Sequence, residues 1–128
     1  DKFSGTRILL VEDELINQEI ARTLCTDAGL EVDLAVNGAE AVELVEKTDY
    51  ALIFMDMQMP VMDGIQATQA IRRLNGRAFT PILALTANAF NEDRDKCISA
   101  GMNDFITKPL EPEALFKKLL KWLEQKQA

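Results

Sequence analysis

The chain predicts one α/β domain, a doubly wound parallel sheet with helices on both faces. Short apolar runs at Ile8–Val11, Ala51–Met55 and Ile82–Leu85 alternate with longer stretches whose apolar residues recur at helical spacing. These runs are apolar at every position, as expected of strands covered on both faces. Each is closed by a polar group: Glu12-Asp13, Asp56 and Thr86, with Lys108 following Asp104–Thr107. In open parallel sheets ligands bind at the carboxyl ends of the strands. Acid pair, lone acid, hydroxyl and amine are therefore expected on one rim.

Five βα units follow in order. The first strand is Arg7–Val11. Its helix runs from about Leu15 to Ala28 and stops at Gly29, with Ile16, Ile20 and Leu24 predicted as the buried face. The second strand, Val32–Val36, alternates. Asn37 is then placed as an N-cap with Glu40 in a capping-box arrangement, and the helix reaches about Lys47. The third strand is Ala51–Met55, and Asp56–Asp63 is a loop containing Pro60, with Asp63 a natural capping residue before Gly64. The third helix covers about Ile65–Leu74 and ends at Asn75-Gly76, which can supply left-handed geometry.

The fourth strand is Pro81–Leu85 and the fourth helix Asn91–Ala100, stopped by Gly101. The fifth strand is Asn103–Ile106. The last helix starts near Pro112 with an apolar stripe of Leu115, Phe116, Leu119, Leu120 and Leu123. Strands one, three and four read as interior and strands two and five as edges, which an order of 2-1-3-4-5 satisfies.

Composition narrows the function. The 128 residues suffice for one sizeable core, and 48% hydrophobic with 27% charged content fits an ordinary globular protein. A net charge of −7 argues against nucleic-acid binding, which depends on Lys and Arg. Cys25 and Cys97 are far apart in helical stretches and read as buried small hydrophobes of a reducing compartment. No apolar run approaches the roughly 20 residues of a membrane span. The N-terminal stretch has no signal-peptide core. The expected location is cytoplasmic, or the cytoplasmic part of a larger membrane sensor. The chain has no histidine, which excludes histidine-ligated metals, Ser-His-Asp and Cys-His systems, and any phosphohistidine of its own.

Carboxylates, lysine and hydroxyls remain. Glu12 and Asp13 facing Asp56 would repel one another unless a cation sat among them, and a hard ion such as Mg2+ or Mn2+ suits oxygen ligands. Asp56, held at the end of a buried strand, is a candidate nucleophile toward phosphorus. Lys108 and Thr86 would complete a phosphoryl site as cation and hydroxyl donor. Taken singly, the acids also fit solvated loop positions and Thr86 an ordinary strand end. Pro109 can hold a cis peptide that directs the Lys108 side chain, with trans the default.

Together these residues resemble the receiver domain of two-component response regulators. The likeness rests on ILLVEDE at 8–14, FMDMQMPVMDG at 54–64, ILALTANA at 82–89 and AGMNDFITKPL at 100–110. It implies a flavodoxin-like fold over 1–128, with 1–6 and 126–128 as flanking tails. It implies Asp56 as phosphoacceptor. Mg2+ would be held by Asp13, Asp56 and the backbone carbonyl of Gln58, and by Glu12 through water. Thr86 and Lys108 would hold the phosphoryl oxygens, Phe105 would be the switch aromatic and Pro109 the cis proline. Gln58 and Asn88, beside a small Ala87, would tune the lifetime of the phosphoryl group.

DMQMPVMDG, TANAF and Ile16-Asn17-Gln18 look most like receivers of hybrid sensor histidine kinases. A histidine kinase or histidine phosphotransfer protein is then the expected partner, with Leu15 and Ile16 as a docking patch. No enzyme activity is expected beyond self-phosphorylation and self-dephosphorylation, although a parent hybrid histidine kinase fits. A phosphorylation-dependent dimer is compatible with the pattern, and contact with nucleic acid or membrane is not expected. The alternatives are a non-phosphorylated pseudo-receiver and a Mg2+-dependent phosphohydrolase. The second lacks the acid expected two residues after the nucleophile, where Gln58 stands. A flavin-binding domain is rejected because Glu12-Asp13-Glu14 would repel a flavin phosphate.

Overall fold

A computed structural model describes residues 5–57, 59, 61–74, 76–86, 91–108 and 110–127, without the side chains of 91–93 and 124–127. The elements are β1 (Arg7–Val11), α1 (Leu15–Asp27), β2 (Glu31–Ala35), α2 (Gly38–Lys47), β3 (Ile53–Asp56), α3 (Gly64–Arg72), β4 (Ile82–Thr86), α4 (Asn91–Ala100), β5 (Asp104–Thr107) and α5 (Pro112–Gln127). The strands form one parallel sheet in the order β2-β1-β3-β4-β5, the expected doubly wound arrangement. β2, β3, β4 and β5 are shifted one or two residues from the predicted bounds. As a result Asp56 and Thr86 belong to their strands and take strand geometry from them.

Side chains alternate across the sheet and feed two cores. Ile8, Leu10, Phe54, Leu83 and Leu85 pack with Ala21 and Cys25 of α1 and Leu115, Leu119 and Leu123 of α5. Leu9, Val11, Ile53, Met55 and Ala84 pack with Ala41 and Val45 of α2, Ala67 and Ile71 of α3 and Cys97 of α4. Both cysteines are free and buried, and burial pushes the Cys25 thiol up to about 12.

Three local expectations are corrected. The buried face of α1 is Gln18, Ala21 and Cys25, whereas Ile16 is 71% and Ile20 41% exposed. Small side chains let the helix sit close to the sheet, and of the predicted stripe only Leu24 packs against the core. Asn37 does cap α2 by accepting from the Glu40 amide, but Glu40 Oε1 accepts from Val36 N rather than from the cap. The reciprocal capping box occurs instead at α3, between Asp63 and Gln66. In α5, Phe116 is 41% exposed rather than part of the core.

The end of the sheet away from the strand carboxyl termini is tied by Arg72. Its guanidinium donates to the carbonyl oxygens of Gly101, Arg77 and Thr80 and to Asn103 Oδ1. Asn103 Oδ1 also accepts from Ile82 N at 2.9 Å. The α3 terminus is thereby joined to the starts of β4 and β5. Among the described residues, no helix is long and apolar enough to cross a membrane.

Candidate functional site

Strand register assembles the rim. Val11 lies level with Met55, so Glu12 and Asp56 continue adjacent strands side by side. Asp56 is level with Leu85 and Thr86 with Thr107, and Lys108 N donates to Thr86 O at 2.7 Å. Glu12 is 1% exposed and Asp56 4%, while Asp13 is exposed and Thr86 buried. One carboxylate oxygen from each of Glu12, Asp13 and Asp56 can be chosen so that all lie within 4.8 Å of one another.

Lys108 bridges two of these acids. Its Nζ is 2.9 Å from Glu12 Oε1 and 3.4 Å from Asp56 Oδ1. The approach to Glu12 is close in distance but outside hydrogen-bond geometry, which leaves Oε1 a buried oxygen without a hydrogen bond among the described residues. Burial, and then the neighbouring Asp56 carboxyl, push Glu12 up to about 7 against the lowering effect of Lys108. Burial alone would lower Lys108, but Glu12 and Asp56 outweigh it and hold the ammonium above its usual value.

One ammonium against three carboxylates leaves excess negative charge packed at one rim. The donors are all hard oxygens, two of them on carboxylates that share the one lysine. A small divalent cation fits that set, and histidine or thiolate ligands take no part. Gly64, the first residue of α3, abuts Asp56 so closely that a Cβ there would overlap its carbonyl oxygen. The capping box at Asp63 therefore brings the positive end of a helix against the strand that carries Asp56.

The sequence-predicted residues Glu12, Asp13, Asp56, Thr86 and Lys108 are thus found together. Phe105 is on β5, partly buried, with Arg94 Cζ 5.6 Å and Lys118 Nζ 5.7 Å from its ring centroid. Gln58, Asn88 and Pro109, with Ala87, lie outside the described residues. In the sequence Gln18 stands out only within Ile16-Asn17-Gln18. Its buried side chain reaches the Glu12 backbone, which hydrophobic spacing could not disclose.

A parallel sheet with acids, a hydroxyl and a lysine at its carboxyl rim defines a phosphoryl-handling α/β domain. The chain belongs to the response regulator receiver domain family, whose model matches residues 8–120. It is 44% identical over 126 residues to hybrid signal transduction histidine kinase B of Dictyostelium discoideum, covering 90% of this chain and 6% of that protein. It therefore spans a small part of that kinase. The receiver domain of sensor histidine kinase PA1611 from Pseudomonas aeruginosa PAO1, solved with a magnesium ion in its active-site cleft, superposes with a TM-score of 0.89. Identity to it is 40%, over 94% of this chain and 99% of that one. A Saccharomyces cerevisiae receiver, that of Ssk1 in complex with the histidine phosphotransfer protein Ypd1, gives 0.89 at 36% identity, over 97% and 92% of the two chains. The chain is a receiver domain of the two-component phosphorelay.

Proposed function

We propose that Asp56 is the phosphoacceptor and that a partner's phosphohistidine is the donor. The observation that carries this reading is the cluster of Glu12, Asp13 and Asp56 bridged by Lys108. An Asp56 carboxylate oxygen forms the new O–P bond as the donor's N–P bond breaks, and the departing imidazole nitrogen takes up a proton. Lys108 and Thr86 receive the phosphoryl oxygens. Asp13, Asp56 and the backbone carbonyl of Gln58 would hold Mg2+ (or Mn2+), with Glu12 acting through water. When bound, the cation offsets the charge of the acids and of the incoming phosphoryl group.

Gln58 and Asn88 set how long the phosphoryl group survives, and Pro109 directs Lys108. Phe105 turns inward as Thr86 moves toward the phosphate, altering the surface of α4, β5 and α5. Leu15 and Ile16, exposed at 76% and 71% at the start of α1, form the docking patch for a histidine kinase or histidine phosphotransfer protein. The unit is the whole of 1–128 with short flanking tails, and it works on the cytoplasmic side as part of a larger hybrid kinase or regulator. Beyond self-phosphorylation and self-dephosphorylation of this domain, any enzyme activity lies in that parent.

The test is mass spectrometry after incubation with acetyl phosphate, with and without Mg2+. One labile, Mg2+-dependent phosphate on Asp56, lost in Asp56→Asn, is the expected result. An Asp56→Asn variant labelled at the normal rate and site would overturn the assignment.

A further inference from the structure

We propose that Gln18 is a positioning residue for the metal site, fixing the backbone of Glu12 and through it the direction of the Asp13 carboxylate. This rests on the reading that the acid cluster holds a divalent cation.

Gln18 stands on the inner face of α1, 7% exposed, beside positions filled by Ala21 and Cys25. A buried amide is costly at such a place unless it is hydrogen-bonded. Its Nε2 donates to the Glu12 carbonyl oxygen at 2.7 Å, back across the turn between β1 and α1. Glu12 N is bonded to Ala35 O at 3.0 Å, so this residue makes the last contact of β1 with β2 in that direction. Its amide is held by the sheet and its carbonyl by Gln18.

The peptide from Glu12 to Asp13 is planar, so fixing the Glu12 carbonyl also fixes Asp13 N and narrows where the Asp13 side chain points. Asp13 has little else to direct it. It is exposed, and among the described residues its carboxylate has no hydrogen bond or ion pair. Two weaker ties act on the same turn. Glu14 N donates to Glu12 Oε2 at 3.2 Å, and Asn17 Nδ2 donates to Glu14 Oε1 at 3.1 Å. Asn17-Gln18 thus fastens the acid turn from outside and inside at once. The inner tie is shorter and buried, and it acts on the main chain itself.

The experiment measures Mn2+ binding to the unphosphorylated full chain by electron paramagnetic resonance, with amide NMR of Asp13 and Glu14 alongside. Gln18→Met keeps the length without the amide, and Gln18→Asn keeps the amide but is one methylene short. Both should weaken Mn2+ binding by about tenfold and shift the Asp13 amide, the size typical of groups that orient metal ligands. Binding within twofold of the unaltered chain in either folded variant, whatever its melting temperature, would overturn the proposal. If the unaltered chain itself binds no Mn2+, it is the cation reading beneath that fails.

Discussion

The Lys108 ammonium sits closer to Glu12 than to Asp56, at 2.9 Å from Oε1 of the one and 3.4 Å from Oδ1 of the other. The resting lysine is thus shared between two acids, and it competes for the space and charge that a metal ion would use. Removing it should have opposite effects on metal and phosphate. Lys108→Gln should bind Mg2+ several-fold more tightly, since an opposing positive charge is gone. It should accept phosphate from a small donor about 100-fold more slowly, the cost of losing a stabilising charge on the transferred group. Titration calorimetry and labelling rates check both signs. Weaker Mg2+ binding would mean that the lysine organises the acids rather than competing for them.

The Glu12 carboxyl gives the stability a pH signature. Burial and Asp56 raise it from 4.5 unfolded to about 7 folded. Between those values the folded chain keeps a proton that the unfolded chain has released. Its contribution is present in full below 4.5 and is lost as pH rises to about 7, by about 3 kcal/mol at most. Mg2+ affinity moves the other way and strengthens through the same window as the proton leaves. Melting curves at pH 5 and pH 8, each with and without Mg2+, should show the larger metal-induced rise at the higher pH. Glu12→Gln should flatten both trends. Equal metal effects at the two values would count against the raised carboxyl.

Gly64 leaves no room for a side chain against the Asp56 carbonyl. Gly64→Ala must push α3 or the end of β3 aside. The expected loss is about 1–3 kcal/mol, typical of overpacking at a rigid contact, with slower labelling of Asp56. A variant that melts and labels like the parent would show that the contact relaxes freely.

The docking patch can be separated from the chemistry. Leu15→Glu with Ile16→Glu alters two exposed residues and should shift stability by no more than about 0.5 kcal/mol for each change. Labelling by acetyl phosphate should be unchanged, while transfer from a histidine phosphotransfer protein should fall at least about tenfold, or 1.4 kcal/mol. Unimpaired transfer would move the docking surface elsewhere.

Phe105 is flanked by cations from two helices, Arg94 on α4 and Lys118 on α5. Each contact contributes about 0.5–1 kcal/mol toward keeping the ring where it is. Arg94→Ala should therefore raise the inward population of the ring about two- to fivefold in the unphosphorylated chain. Ring resonances of Phe105 by NMR report this directly, and an unchanged population would remove Arg94 from the switch.

Much of this was legible in the residues. Uninterrupted apolar runs placed β1, β3 and β4 inside the sheet, and the polar residues closing them marked the rim. The resemblance rests on motifs that contain those same residues, and it adds their roles rather than a second location. The α1 face was misread because spacing reports which residues share a side, not which side faces the sheet. Ile16 and Ile20 lie on the exposed side while Leu24, at its edge, still packs against the core, because close packing favoured the Ala21 and Cys25 side. Strand ends slipped because Asp56 and Thr86 are polar yet still paired in register. The contact of Gln18 with the Glu12 main chain left no trace in composition or period.

The five bonds that Arg72 makes lie at the foot of β4 and β5, opposite the acid rim. A sheet clamped at one end and charged at the other behaves like a tuning fork held by its stem. Work done on the strand tips at Asp56 and Thr86 is not dissipated by loosening the base, because the base would have to break several part-buried bonds together. Amide exchange at Ile82, whose N–H is held by Asn103, should accordingly be nearly the same before and after phosphorylation, even as the rim changes.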